Sequence, residues 1–307
     1  MGVAAFDHLM PAMSPAKSQI CAVVVTYHPD TGILQRLQQV APQVAHLVVV
    51  DNSGDQATDW PPAHGQLPAG TVVIPNPENL GIAAALNQGL AHATRLRCRW
   101  LLTLDQDSEC RDDLIEVLHA VAENARPTPI VIGGNYFDPQ RRRYEVEPDS
   151  RMDGFVDRKT VITSGCLVDV DYAHAIGGFR EDYFIDQVDH EFSLRVRGLG
   201  GRVVISRRPV MTHSVGDQAG AKVPLLGRLP GHTAARKYYI ARNSIVTIKR
   251  YWQSEPTWCL VRALRLSLGL VLIVTLEGSR YAKFRAFWLG INDAFKGKMG
   301  KFDETRL

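Results

Sequence analysis

The chain has 307 residues, 45% of them hydrophobic, which is enough to bury a full core in one large domain or two smaller ones. Its five cysteines are odd in number and form no CxxC pair, which argues against a disulfide framework or a zinc site and for reduced thiols. The net charge of +3 hides an asymmetry: 19 Lys/Arg against 27 Asp/Glu through Ala221, then 16 against 5 from Lys222 onward.

In chain order, residues 1–18 hold Pro11 and Pro15, lack the continuous apolar region of a signal peptide, and read as a flexible lead-in. Ile20 to Thr26 and His46 to Val50 are β-branched runs separated by a helical pattern from Thr31 to Val40. Val72 to Ile74 makes a third strand ending at Pro75, and Ala-rich Gly81 to Thr94 a second helix. The apolar Trp100 to Leu104 then reads as a buried strand. This β-α-β-β-α-β order predicts a mostly parallel sheet with helices on its faces and a ligand crevice at the carboxyl ends of the strands.

Further on, polar Asp138 to Lys159, with Arg141, Arg142 and Arg143 in a row, reads as a hairpin or flexible excursion. Val161 to Val170 is a strand pattern broken at Ser164-Gly165. Glu181 to Gly198 has helical spacing, which puts Asp186 and Asp189 on one face near its start. Gly231 to Lys296 is helical in pattern almost throughout. Its longest apolar run, Leu266 to Leu276, falls short of the ~20 residues that span a bilayer, and extending it backward meets Arg265 and Arg262. Two readings of this basic tail stay open. It lies on an anionic membrane surface with Trp252, Trp258 and Trp288 as anchors, or it is a core helix with its arginines turned outward. The chain thus divides into a lead-in, an α/β domain over 19–225 and a helical basic region over 226–307.

The acids of Asp105-Gln106-Asp107 follow a buried strand. Two carboxylates there suit a hard cation such as Mg²⁺ or Mn²⁺ shared with a substrate's phosphates, although a solvated turn leading from the strand into a helix capped by Ser108 or Asp112 fits the same residues. Thr26-Tyr27, Asp51-Asn52-Ser53 and Asn79-Leu80-Gly81 end neighbouring elements and offer a nucleotide an aromatic wall and polar groups for its base. Asn79 also suits a local capping role ahead of the small-residue helix. A nucleotidyltransferase would usually carry a Gly-rich phosphate loop after the first strand, and Thr26-Tyr27-His28-Pro29-Asp30 has none. The tail's cations are interleaved with long apolar stretches and match no nucleic-acid module.

These motifs, with Asn79 to Gly89, Thr163-Ser164-Gly165, Phe184 to Glu191, Thr212-His213-Ser214-Val215-Gly216 and Tyr238-Tyr239 to Arg242-Asn243, occur in the order found in family 2 glycosyltransferases. The chain resembles that family, and within it the bacterial rhamnosyltransferases of surface polysaccharide synthesis. The resemblance implies an α/β glycosyltransferase A fold with a C-terminal helical extension. It implies inverting transfer of L-rhamnose from dTDP-L-rhamnose, or of another sugar from a UDP donor, to a lipid-linked or saccharide acceptor. Work at the inner face of the cytoplasmic membrane follows, with a homodimer compatible.

By the same resemblance, Asp107 ligates the metal, with Asp105 near the ribose or metal shell and His213 as a further metal or diphosphate contact. Asp51 recognises the base, Thr26 and Tyr27 line its pocket, and Asn52, Asn79, Gly81, Asn87 and Gln106 complete the donor side. Asp189 is the expected base with Asp186 as rival, because relatives carry Glu-Asp where this chain has Val188-Asp189. Gly165, Asp186 and Glu191 are expected on the acceptor side. Arg236, Tyr239, Arg242 and Asn243 share a helix face, so Arg242 could reach the diphosphate, or the face is simply exposed. A catalytically dead glycan-binding protein would tolerate loss of Asp105, Asp107 and Asp189, and all three are present.

Overall fold

Alternate residues of the first strands face opposite ways, and each set is apolar, so the sheet they form is covered on both sides. A computed structural model describes residues 17–54, 67–213 and 231–307, together with the backbone of two short strands at 222–223 and 227–228. Nearly all of the lead-in, and Ser214, Val215 and Gly216, lie outside the described residues.

The strands are β1 (Ile20–Thr26), β2 (His46–Asp51), β3 (Val72–Pro75), β4 (Trp100–Asp105), β5 (Glu109–Cys110) and β6 (Val131–Asp138), then β7 (Arg143–Tyr144), β8 (Phe155–Asp157), β9 (Cys166–Asp169) and β10 (Val203–Thr212), with β11 (Lys222–Val223) and β12 (Gly227–Arg228) as a separate pair. The helices are α1 (Ile33–Val40), α2 (Ile82–Arg95), α3 (Leu114–Asn124), α4 (Val170–Ala175), α5 (Val188–Gly198), α6 (Ala234–Tyr251), α7 (Pro256–Thr275) and α8 (Arg280–Lys296). The main sheet runs β3-β2-β1-β4-β9-β6-β10-β5, with β7 on β6 and β8 on β10. Its first four strands are parallel, and β9 enters antiparallel between β4 and β6. On one face Ile20, Ala22 and Val24 pack with Leu37 of α1 and Leu118 of α3; on the other Cys21 and Val23 pack with Leu86 of α2 and Phe192 of α5. All five cysteines are buried and free.

Two expectations change and one open choice is decided. Val161 to Val170 holds a strand only over β9, because Val170 already begins α4, whose first turn is capped by the Asp169 carboxylate accepting from Tyr172 N–H. Of the two readings of 138–159 the hairpin holds, since β7 folds back antiparallel on the end of β6, and β8 pairs with β10. Asp186 precedes α5 instead of sharing its face with Asp189: Phe184, Asp186 and Gln187 all have left-handed φ (65°, 63° and 67°), so no helix runs through them. Strands β6 and β10 have no clear local pattern in the sequence, and the helix after the acids, α3, starts at Leu114 behind Asp113 rather than at a Ser108 or Asp112 cap.

The C-terminal helices pack on the segment before α5. Asn243 Nδ2 donates to the carbonyls of Tyr183, Ile185 and Asp186, and Tyr183 Oη meets Thr247 Oγ1 at 2.9 Å. Helix α7 is longer than its apolar run, since Pro256 starts it and both arginines lie within it. By length and composition alone it could cross a membrane, yet Cys259 and Ile273 are buried against the neighbouring helices. Its arginines do not both point outward. Arg262 turns in and donates to Ser244 Oγ at 3.0 Å, while Leu260, Leu264 and Leu268 are exposed.

Candidate active site

Parallel register sets the site. Thr26 pairs with Asp51 across β1 and β2, and Val25 with Asp105 across β1 and β4, so the polar ends of three adjacent strands stand in one row. Thr26 Oγ1 and Ser53 Oγ donate to Asp51 Oδ1 at 2.8 and 2.7 Å. Both hydroxyls converge on a single oxygen of a carboxylate that is itself buried, and among the described residues no hydrogen bond reaches Oδ2. Tyr27 is 51% exposed, and Gln106 Oε1 accepts from its N–H at 2.7 Å, a strut that fixes the end of β1 to the turn after β4.

Beyond Asp107 the chain folds back, and β5 pairs antiparallel with the end of β10, Cys110 opposite Met211 and Glu109 opposite Thr212. That short ladder delivers His213. Its Nδ1 lies 3.6 Å from Asp107 Oδ1 and its Nε2 4.0 Å from Asp105 Oδ2, and one ligand atom from each of the three residues falls within 4.8 Å of the others. Ser108 Oγ, itself hydrogen-bonded to Ser164 Oγ, sits 3.4 Å from His213 Nδ1. Two hard oxygen donors and one imidazole suit Mg²⁺ or Mn²⁺. The electrostatics agree with that donor set. Burial first, then repulsion from Asp107 and Asp189, raise the Asp105 carboxyl to about 6 against the opposing pull of His213 and Arg236.

Asp189, second residue of α5, lines a narrow cavity with Thr103, Thr163 and Cys166 beside the end of β4. Its Oδ1 accepts from the neighbouring His190 N–H at 2.8 Å, and no cationic side chain pairs with it among the described residues. Asp186 is committed otherwise: Arg236 Nε lies 3.3 Å from its Oδ2. Burial raises the Asp186 carboxyl, and Arg236 opposes the rise. Arg262 of α7 feels both acids; burial lowers its pKa, and Asp189 and Asp186 pull it back up.

Several expected site residues serve the scaffold. Arg242 is fully buried between Tyr238 and Tyr239, donating to Asn243 Oδ1 and to the carbonyls of Gly300, Asp182 and Tyr183, so it cannot reach a diphosphate. Asn87 is used up on the 179–181 segment, accepting from Phe179 N–H and donating to Phe179 O and Glu181 Oε1. Glu191 is fully buried, held by Tyr251 Oη and Arg195, which removes it from the acceptor side. Asn52 donates to Gly81 O, and Asn79 Oδ1 accepts from Gly81 N–H, the local role that its sequence also allowed.

Gly81 has φ of 88°, and a Cβ there would lie 2.5 Å from Phe184 O, so the glycine admits the backbone that leads into Asp186. Gly165 has φ of 70°, and its missing Cβ makes room for Met211 Sδ rather than for a sugar. Two residues of the site carry no motif of their own: Asn76, which bridges Asn52 and Gln88, and Arg236, which in sequence belongs to a basic helix face. Arg236 stands two residues outside the buried Tyr238-Tyr239 pair, and that spacing was the available signal.

The profile described as "Glycosyl transferase family 2" matches residues 21–184, more than half of the chain. The chain belongs to glycosyltransferase family 2, and is therefore an enzyme that uses a nucleotide-sugar donor. Among curated proteins it is similar to the dTDP-rhamnosyl transferase RfbF of Shigella flexneri, 26% identical over 303 aligned residues that cover 92% of this chain and 97% of that one. Among solved structures it is similar to S. aureus TarS 1-349 in complex with UDP-GlcNAc (TM-score 0.60, 13% identity, 91% of this chain and 81% of that chain). It is also similar to GalNAc-T7 with UDP, GalNAc and Mn²⁺ (TM-score 0.56, 12% identity, 93% and 59%). At these identities the two structures speak for the fold, which is the glycosyltransferase A type with a helical C-terminal region.

Proposed function

We propose that this enzyme transfers an L-rhamnosyl group from dTDP-L-rhamnose, with inversion, to a saccharide or lipid-linked glycan. The observation that carries the reading is the Asp105, Asp107 and His213 cluster at the strand ends, with Asp189 close enough to raise Asp105 by repulsion. The choice of donor is supported by the likeness to RfbF, which runs nearly the whole length of both chains.

In this reading Asp51 accepts the ring N–H of the thymine on Oδ2, and Tyr27 covers the base. Asp107, Asp105 and His213 would hold Mg²⁺ or Mn²⁺. Such an ion, when bound, offsets charge on the leaving diphosphate as a Lewis acid. The acceptor hydroxyl oxygen attacks the anomeric carbon from the face opposite the diphosphate, the bond from that carbon to the diphosphate oxygen breaks, and the hydroxyl proton passes to Asp189. Asp189 suits this better than Asp186, whose carboxylate already faces Arg236. Arg236, paired with Asp186 and close enough to lower the Asp105 carboxyl's pKa, is assigned to the diphosphate in place of Arg242.

A thermal-shift panel of nucleotide sugars with and without Mn²⁺ tests the donor. The largest stabilisation is expected from dTDP-L-rhamnose with Mn²⁺. A larger shift from a UDP-sugar would reassign the donor within the same family.

A further inference from the structure

Helix α7 turns two opposite chemistries in two directions. Inward, Arg262 reaches Ser244 and lies within electrostatic reach of Asp186 and Asp189, and Trp258 packs edge-on against His190 with ring centroids 5.6 Å apart. Outward, Leu260, Leu264, Leu268 and Val271 recur at helical spacing and are each more than half exposed, a stripe that water ordinarily opposes. The neighbouring α8 exposes Tyr281 and Trp288 at 78% and 59%.

Charge around this surface is mainly positive: residues 231–307 hold 14 Lys/Arg against 5 Asp/Glu, and of those acids only Asp303 and Glu304 are exposed. Between residues 231 and 302 there are only three acids, and each is engaged in ion pairs: Glu255 with Lys159 and Arg197, Glu277 with Lys237 and Lys283, Asp293 with Arg306. The exposed charges there are Arg250, Arg265, Arg280, Arg285 and Lys296, with their like. An aliphatic stripe carrying interfacial aromatics, with many cations and few exposed acids, is complementary to an anionic lipid surface. A second copy fits less well, because a two-fold contact would set this cationic region against itself. Crossing the bilayer would require α7 to abandon the burial of Cys259 and Ile273 and the Arg262 bond to Ser244.

We infer that α7 and α8 dock this enzyme flat on an anionic bilayer, with the outward leucines of α7 in the lipid interface and its inward face against the segment that carries Asp189. If Asp189 is the base, as proposed above, the acceptor side lies one helix away from the lipid, and a membrane-borne acceptor is the class that this placement serves.

The test is co-sedimentation of the full chain with phosphatidylcholine vesicles, with and without phosphatidylglycerol, for the wild type and for Leu264→Glu/Leu268→Glu. Both leucines are exposed, so the variant should melt with the wild type. Wild type should bind the phosphatidylglycerol vesicles, lose most binding as salt rises from about 0.05 to about 0.5 M, and bind at least about tenfold more tightly than the variant. No wild-type binding, or binding that ignores salt and both substitutions, overturns the inference. A wild-type dimer that the variant converts to monomer without any vesicle binding assigns the face to a second copy instead. Release of dTDP from the donor, measured in the same samples without vesicles, reports separately on the proposed reaction.

Discussion

Replacing Arg242 with methionine separates a scaffold role from a substrate role. The guanidinium makes four hydrogen bonds inside the protein and lies 5.3 and 5.0 Å from the ring centroids of Tyr238 and Tyr239. Not every acceptor is stranded by its loss. Asp182 O keeps Gly300 N–H, and Tyr183 O keeps Asn243 Nδ2, whereas Gly300 O and Asn243 Oδ1 lose the guanidinium donor. Charge-assisted bonds contribute about 1.5–3 kcal/mol each when nothing replaces them, and methionine restores most of the packing. With two carbonyls still satisfied, a cost of about 4 kcal/mol is expected rather than the full sum, which in a chain of this size lowers Tm by about 10 °C. The assay pairs a melting curve with donor-hydrolysis kinetics at a temperature where the variant is folded. Arg242→Met should melt early yet keep kcat and the donor KM within about threefold of wild type. An unchanged Tm with kcat down a hundredfold or more would mean that Arg242 works on the diphosphate and that its burial has been misread.

Asp189→Asn should cut kcat by about 10²–10⁴ with little change in donor KM or Tm, whereas Asp186→Asn should act mainly through Arg236, raising donor KM; the reverse pattern in steady-state kinetics would exchange the two roles. Gly81→Ala forces a Cβ to within 2.5 Å of Phe184 O at a φ of 88°. It should cost about 3 kcal/mol in urea unfolding, and a neutral result would mean that the Phe184 segment is free to move. Glu255, Glu277 and Asp293 have carboxyls below their ordinary range, because ion-pair hydrogen bonds outweigh the burial that would raise them. Depressed folded values give stability that is present above the unfolded pKa, about 4 for these acids, and lost as pH falls through the folded ones. Fluorescence of Trp252, Trp258 and Trp288 should therefore report loosening of the C-terminal helices below about pH 4, and none as pH rises from 5 to 8.

What the sequence made legible follows from where the information lies. β1, β2, β4 and α2 announce themselves by local pattern, and the acids at their ends were found because parallel strands place such groups in one crevice. His213 could be joined to Asp105 and Asp107 only through family order, since the β5–β10 ladder that brings it there is two residues long on one side. Arg242, Asn87 and Glu191 were misplaced for one physical reason. Polar side chains that close buried segments and those that bind ligands look alike in sequence, and only their partners distinguish them. The left-handed turn at 184–187 escaped because Phe, Asp and Gln rarely adopt it without tertiary contacts, here Asn243 on its carbonyls.

In the proposed reaction Asp105, Asp107 and His213 hold the metal that meets the donor diphosphate. Release of dTDP from dTDP-L-rhamnose, measured against Mn²⁺ concentration for wild type and Asp107→Ala, tests this assignment most directly. Saturable metal activation that chelation abolishes is expected in the wild type, with a loss of at least about a hundredfold in the variant and Tm unchanged. Turnover that persists without metal, or that survives Asp107→Ala, would contradict the assignment.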